Sequence, residues 1–387
     1  SAFIRPLPHI SFVTGKENVD YLKRRFDVLS IHHMFQGMDY TEDKNIMKEW
    51  IPLMMEGRSP DEPVAASKIN SGTDVNFGEL TRRLAKNIES HENAAVFYQH
   101  EVLNLRQLDN GKWEAEVRDL NTNKIEYHIA DYIFIGAGGH AIPLLQNTGI
   151  PESKHLGGFP ISGAFLVCNN PEVVHRHNAK VYGKEPHGTP PMTVPHLDRR
   201  YMGSKESLLF GPFAAIGPKF LKNGSNLDLF KSIKTDNLLT MMSAGVKNLP
   251  LVKYSIQQVL MRKDDRMQEL RRFVPDAKDE DWDLHIAGKR VQVIKDTEEH
   301  GRGFIQFGTE VVSSEDNSMI ALLGESPGAS VSVSVALEVF KKSFPEYIEK
   351  WDAKLKEMIP SYGQSLIEDS ELLLEIRQMT AADLKLE

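Results

Sequence analysis

A chain of 387 residues with 41% hydrophobic and 26% charged side chains has the make-up of an ordinary folded α/β protein, of two domains or of one large unit with an inserted lobe. No run of about 18 apolar residues is present to span a bilayer. A net charge of −8 with interspersed signs leaves no basic stripe and argues against nucleic acid as the main ligand, and the lone Cys168 excludes internal disulfides and thiolate clusters, as suits a reducing cytosol.

Taken in chain order, "FIRPLPHISFVTG" (3–15) predicts extended segments, because its prolines cannot sit inside a helix. Val19, Leu22, Phe26 and Leu29 fall at helical spacing, and a short helix is expected before Pro52. His32 and His33, expected in extended backbone, then point to opposite faces and form no metal pair. Leu80, Leu84 and Ile88 predict an amphipathic helix within 72–90. From 94 to 139, Asp109-Asn110-Gly111 and Asn121-Thr122-Asn123 are turn signals between alternating runs, predicting an antiparallel meander that feeds the apolar strand "YIFI". Strands are expected at "AFLVC", "KVYG" and "SLLFGPFA", helix over 251–284 with a break at Pro275, and strands at "KRVQVIKD" and "GFIQFGTEVV". "SMIALLGESPGASVSVSVAL" predicts a strand, a tight loop and a helix, and the tail is helical and acidic.

Gly136-Ala137-Gly138-Gly139-His140-Ala141 matches G-x-G-x-x-A at the end of an apolar strand. The match is weak as a pyrophosphate loop. Pro143 limits the following helix, and no acidic residue stands about 20 positions on. Gly324, Ser326, Pro327, Gly328, Ala329 and Ser330 form a second strand-to-helix turn, whose free N–H groups suit an anion or the electron-rich edge of a flavin as well as an ordinary serine cap. Arg290 starts a strand where bidentate recognition of a carboxylate competes with the commoner fate of a surface ion pair. Lys180, Tyr182, His187, His196, Arg199 and Arg200 crowd a proline-stiffened stretch that could hold them over a pocket. Metal-ligand spacings and the G-x-S-x-G of serine hydrolases are absent from the sequence.

Taken together, "RPLPHISFVTG", "KVYGKEPHGTPPMTVPHLDRR", "LLFGPFA", "AGKRVQVIK", "GFIQFGTEVV" and "LLGESPGASVSVSVAL" resemble malate:quinone oxidoreductase, from about Phe3 to beyond Ser334. The resemblance implies an α/β and α+β fold, in which an FAD-binding Rossmann-like domain is interleaved with an antiparallel-sheet substrate domain. The expected substrate domain covers 1–65 and 151–285, and the FAD-binding remainder 66–150 and 286–387. The family's opening βαβ unit with G-x-G-x-x-G has no counterpart before Phe3, so the chain reads as amino-terminally truncated, which puts its hold on FAD in question. Gly136, Ala137, Gly138 and Gly139 then resemble a return strand packed near the cofactor, and Gly324 to Ser330 the segment against the isoalloxazine and ribityl part of FAD.

The implied chemistry is oxidation of L-malate to oxaloacetate. A base removes the hydroxyl proton, hydride moves to flavin N5, and a quinone in the membrane reoxidises the flavin, feeding the respiratory chain from the tricarboxylic acid cycle. His196 is the expected base, with His187 second and Tyr182 orienting the hydroxyl. Arg290, Arg200 and Lys180 are expected to hold the two carboxylates. The expected location is cytoplasmic, peripheral on the inner face of the cell membrane, with no metal. The Leu/Ile stripe of the acidic tail is expected to pack on the protein rather than on lipid. Two alternatives are a dehydrogenase for L-2-hydroxyglutarate or another 2-hydroxyacid, and a cofactor-free binding fragment.

Overall fold

The computed structural model describes residues 3–184, 194–324 and 328–386. Its first strands, β1 (Ile4–Pro6) and β2 (His9–Thr14), run out of the proline-rich opening into helix α1 (Lys16–Leu29). Then come β3 (Asp39–Thr41), α2 (Lys44–Trp50), α3 (Pro52–Met55), β4 (Val64–Ile69), β5 (Thr73–Val75) and α4 (Phe77–Glu89). The Asn76 side chain caps α4 by accepting from the Glu79 N–H at 3.1 Å. The meander is β6 (His100–Gln107), β7 (Trp113–Asp119) and β8 (Ile125–Ala130), followed by β9 (Ile133–Ile135) and α5 (Ala141–Thr148). Pro143 lies in the first turn of α5, where a missing N–H costs no helical bond.

The middle of the chain holds β10 (Gly157–Cys168), α6 (Pro171–Val174), β11 (Lys180–Tyr182), β12 (His196–Met202) and β13 (Lys205–Ile216). Helices α7 (Asp228–Ser232), α8 (Leu238–Lys247), α9 (Leu249–Leu260) and α10 (Lys263–Phe273) follow. Strands β14 (Trp282–Thr297), β15 (Gly301–Gln306), β16 (Glu310–Ser313) and β17 (Met319–Leu323) lead to α11 (Gly328–Ser343), α12 (Ile348–Met358) and α13 (Ser370–Leu384).

Nine strands form one sheet in the order β15-β14-β10-β13-β12-β11-β2-β4-β3, antiparallel except where β11 meets β2. One face is apolar. Phe12, Leu166, Phe210, Leu197 and Val181 pack there against Met47, Met54, Met267 and Leu270 of α2, α3 and α10 and against Ile51 between the first two. Each large side chain buried in this way contributes about 2 kcal/mol. Toward β14, Val291 and Val293 join a second core with Ile135, Ala141, Leu145, Phe220, Met319 and Leu323, fastening the large sheet to a three-stranded sheet ordered β16-β17-β9.

Four local readings change. The helix expected over 251–284 stops at Phe273, and Trp282 already begins β14. The boundary expected at 285/286 falls inside β14, and β4, assigned across the 65/66 boundary, lies wholly in the large sheet. "GFIQFGTEVV" divides into β15 and β16, which join different sheets. His32 and His33 do not diverge: His33 begins a 3-10 turn capped by His32, and the two rings stack at 4.5 Å.

Candidate functional site

Strands β9 and β17 lie side by side in parallel, with Met319 opposite Ile133 and Ala321 opposite Ile135. Both therefore end at one edge, at Gly136 and Gly324, and the carboxyl edge of parallel strands is where α/β proteins bind nucleotides. Gly136 is exposed, Ala137 and Gly138 are half-buried and Gly139 is buried. The last glycine serves protein packing, because a Cβ at Gly139 would strike the Phe220 carbonyl and the Val291 side chain. Gly324 has φ +72°, and a Cβ there would strike the Gly308 carbonyl. Small residues at both strand ends and the start of α11 after residue 324 fit one edge of FAD. Gly328, Ala329 and Ser330 open that helix, while Ser326, Pro327 and His187 lie outside the described residues.

The second face of the large sheet carries the polar residues. Register pairs Tyr182 with His196 and Lys180 with both Asp198 and His9, so all five project from this face. The imidazole of His196 stacks on the Tyr182 ring at 4.7 Å and 14°, and Phe165 closes its other flank at 5.7 Å. Its Nδ1 lies 3.0 Å from the Val194 carbonyl, an acceptor only, which assigns the proton to Nδ1 and leaves the Nε2 lone pair open. Asp198 Oδ2 is 3.9 Å from that Nε2. Burial, with Asp198 adding to it, pushes the Tyr182 phenol up to about 12, so it remains a hydrogen-bond donor.

Lys180 and Arg200 do not match the expectation that they await a substrate. Both meet the buried Asp74 Oδ1 at 3.1 Å, as ion pairs rather than aligned hydrogen bonds, and Lys180 also reaches Asp198 at 3.3 Å. Two cations facing two buried carboxylates leave no charge for a dicarboxylate.

Arg290 differs. It sits opposite Ile161 on β14, half-buried, and among the described residues it has no hydrogen bond or ion pair. Burial alone pulls its pKa down from the arginine value, with no carboxylate to oppose it. Two residues on, Gln292 points to the same face, opposite Phe159. It is fully buried, and neither its Nε2 nor its Oε1 has a hydrogen-bond partner. Such orphaned amide atoms cost about 1–3 kcal/mol. Nothing in the sequence singles out Gln292, which reads as the solvent side of an alternating strand. Also unforeseen is a cavity of about 260 Å³ on the far side of Tyr182, lined by His9, Ser11, Arg25, Ser67 and Arg377.

A nucleotide-type strand edge fastened to a sheet that displays an oriented histidine and an uncompensated guanidinium is the equipment of a cofactor-linked dehydrogenase for an anionic alcohol. The chain belongs to the malate:quinone oxidoreductase family, whose model matches residues 1–386. It is 64% identical over 386 residues to a probable malate:quinone oxidoreductase 2 of Staphylococcus aureus, covering 99% of this chain and 77% of that protein. A probable malate:quinone oxidoreductase 4 of Staphylococcus epidermidis is 63% identical over 384 residues, with the same two shares covered. A solved FAD complex of the Bacillus halodurans glycerol-3-phosphate dehydrogenase aligns with 87% of this chain and 53% of its own at 11% identity and TM-score 0.46, too loose a likeness to argue from.

Proposed function

We propose that this chain oxidises L-malate to oxaloacetate with His196 as general base and with Arg290 and Gln292 holding one substrate carboxylate. FAD-dependent oxidation of malate with a quinone acceptor is the activity of the family, which favours malate over 2-hydroxyglutarate and over a binding-only role. FAD, when bound, supplies the hydride acceptor. The protein's own part is to bind the diacid, to orient its hydroxyl group and to take the hydroxyl proton on His196 Nε2.

The observation that carries this reading is the oriented imidazole on the same sheet face as the only unpaired guanidinium of β14 among the described residues. Ile161, opposite Arg290, is four residues from Phe165, whose ring touches His196. At 3.4 Å per residue this is about 14 Å along the strand, a gap that an extended arginine and a four-carbon diacid fill between them. The Tyr182 hydroxyl donates toward the substrate oxygen, and Asp198 stabilises the imidazolium once it forms. A second reading seats the diacid in the cavity lined by His9 and Arg25, which is favoured by its size and its two arginines.

No described helix is long and apolar enough to cross a membrane. A bilayer-dissolved quinone therefore favours a peripheral position, on the inner face of the cell membrane. Steady-state malate oxidation with a dye acceptor tests the base. His196→Gln should lower kcat by about 10²–10⁴-fold, and an unchanged kcat would remove His196 from the role.

A further inference from the structure

Helix α8 covers the β14–β15 end of the large sheet's polar face, and α9 runs on from it beside β13, its last turn meeting Arg266 of α10. The inner side of α8 packs Ala244 and Met241 against Ile294 and Ile305, and Thr240 Oγ1 donates to Asp296 Oδ2 at 3.0 Å. A surface helix is ordinarily polar on the side away from its sheet. On α8 that side is apolar, and α9 adds further exposed apolar residues. Leu239, Met242 and Val246 cluster on the outer side of α8, and Leu249, Ile256 and Leu260 form one stripe along α9, all more than half exposed. Just before them, Phe230 is equally open.

Within the segment itself the charge is mostly of one sign, while Glu298 and Glu299 stand on the adjoining β14–β15 turn and Asp264 and Asp265 follow it. From 229 to 262 there are five basic residues, Lys231, Lys234, Lys247, Lys253 and Arg262, against one acid, Asp236, in a chain whose net charge is −8. All five are exposed and none of them forms an ion pair with a carboxylate among the described residues, but Lys247 is held on the β14–β15 turn, its Nζ donating to the His300 and Arg302 carbonyls at 3.1 and 2.8 Å, which leaves Lys231, Lys234, Lys253 and Arg262 to face an anionic surface. Asp236 is occupied by the His155 N–H at 3.0 Å. By contrast, the tail helix α13 has Glu371, Glu375 and Asp383 beside its leucines, so an anionic surface would repel it.

We propose that the outer faces of α8 and α9 dock on an anionic lipid monolayer, the leucines and Met242 entering the acyl boundary and the lysines meeting lipid phosphates. At 10 and 12 residues both helices are too short to span the bilayer and lie in its plane. The inference rests on the quinone reading and adds a place to it. The helix that would touch lipid packs directly on β14, the strand bearing Arg290 and Gln292, so the acceptor is delivered one layer from the proposed substrate site.

Sedimentation of the intact protein with vesicles of equal parts phosphatidylcholine and phosphatidylglycerol tests it. Met242→Glu with Val246→Glu should weaken vesicle binding at least about tenfold. Lys234→Glu with Lys253→Glu should weaken it by about fivefold per reversed charge, and added salt should erase the difference. Malate turnover with a water-soluble dye should stay at the parent level in both variants, which reports that they fold, while turnover with vesicle-embedded long-chain quinone falls with binding. Parent-level vesicle binding by both variants would overturn the proposal. So would a dimer that the substitutions convert to monomer without lipid, since the face would then join two copies. Absence of dye-linked malate turnover in the parent would instead sink the functional reading and leave the vesicle result to stand on its own.

Discussion

Removing Arg290 should separate stability from activity in an unusual direction. Its guanidinium is half-buried without a polar partner, so Arg290→Ala removes an uncompensated charge and takes away no native hydrogen bond or ion pair. Gln292→Leu removes two buried orphan polar atoms at nearly constant volume, a gain of about 1–2 kcal/mol. Both variants should therefore unfold at the parent's urea midpoint or above it. Malate binding should move the other way. Stripping one partner from a desolvated arginine–carboxylate pair costs about 2–4 kcal/mol, so kcat/KM for malate should fall roughly 30- to 1000-fold in Arg290→Ala. Arg290→Lys keeps the charge without the planar fork and should recover only part of the loss. The assays are urea denaturation followed by fluorescence, and dye-linked malate kinetics on the same preparations. If Arg290→Ala were less stable than the parent by more than 1 kcal/mol or so with kcat/KM unchanged, its role would be structural and the substrate assignment would be wrong.

Arg200→Ala should behave oppositely, losing stability by about 3 kcal/mol or more because it strips a cation from the buried Asp74, as urea midpoints would show. Gly139→Ala should destabilise by about 1–3 kcal/mol through the clash with the Phe220 carbonyl, whereas Gly136→Ala, exposed and near only the Phe134 ring, should cost less than 1 kcal/mol or so; equal losses would undo the packing role given to Gly139. His177 is fully buried, its Nε2–H donates to the Leu197 carbonyl at 3.2 Å, and burial lowers its pKa from 6.5 to about 4. Because the folded value lies below the unfolded one, its neutral form contributes full stability above pH 6.5, and that contribution is lost as pH falls toward 4. Between about pH 7 and pH 5 the loss should be about 2 kcal/mol, and it should vanish in His177→Gln. A parent whose urea midpoint is flat across that range would refute it.

Much of the fold is written in local patterns. Turn residues at Asp109-Asn110-Gly111 and alternation at "KWEAEVRDL" set the β6–β7 hairpin, and the apolar run before Gly136 sets β9. That β9 pairs with β17, almost two hundred residues later, is invisible to periodicity and followed only from the family likeness. The boundary at 285/286 misled because β14 runs sixteen residues through a bulge near Gly288, joining two units with one strand. The polar cluster around His196 was legible as a dense stretch, but the sequence could not show that Asp74, on the distant β5, already neutralises Lys180 and Arg200. Gln292 was hidden for a related reason. In "KRVQVIK" it alternates with valines as a solvent-facing residue would, and only the packing over the sheet buries it.

The decisive experiment is a crystal structure of the protein with FAD and a non-reacting malate analogue. One carboxylate of the analogue should lie within hydrogen-bond distance of both Arg290 and the Gln292 amide, with His196 Nε2 facing its hydroxyl group. An analogue lodged in the cavity of His9 and Arg25, with Arg290 still bare, would contradict this placement.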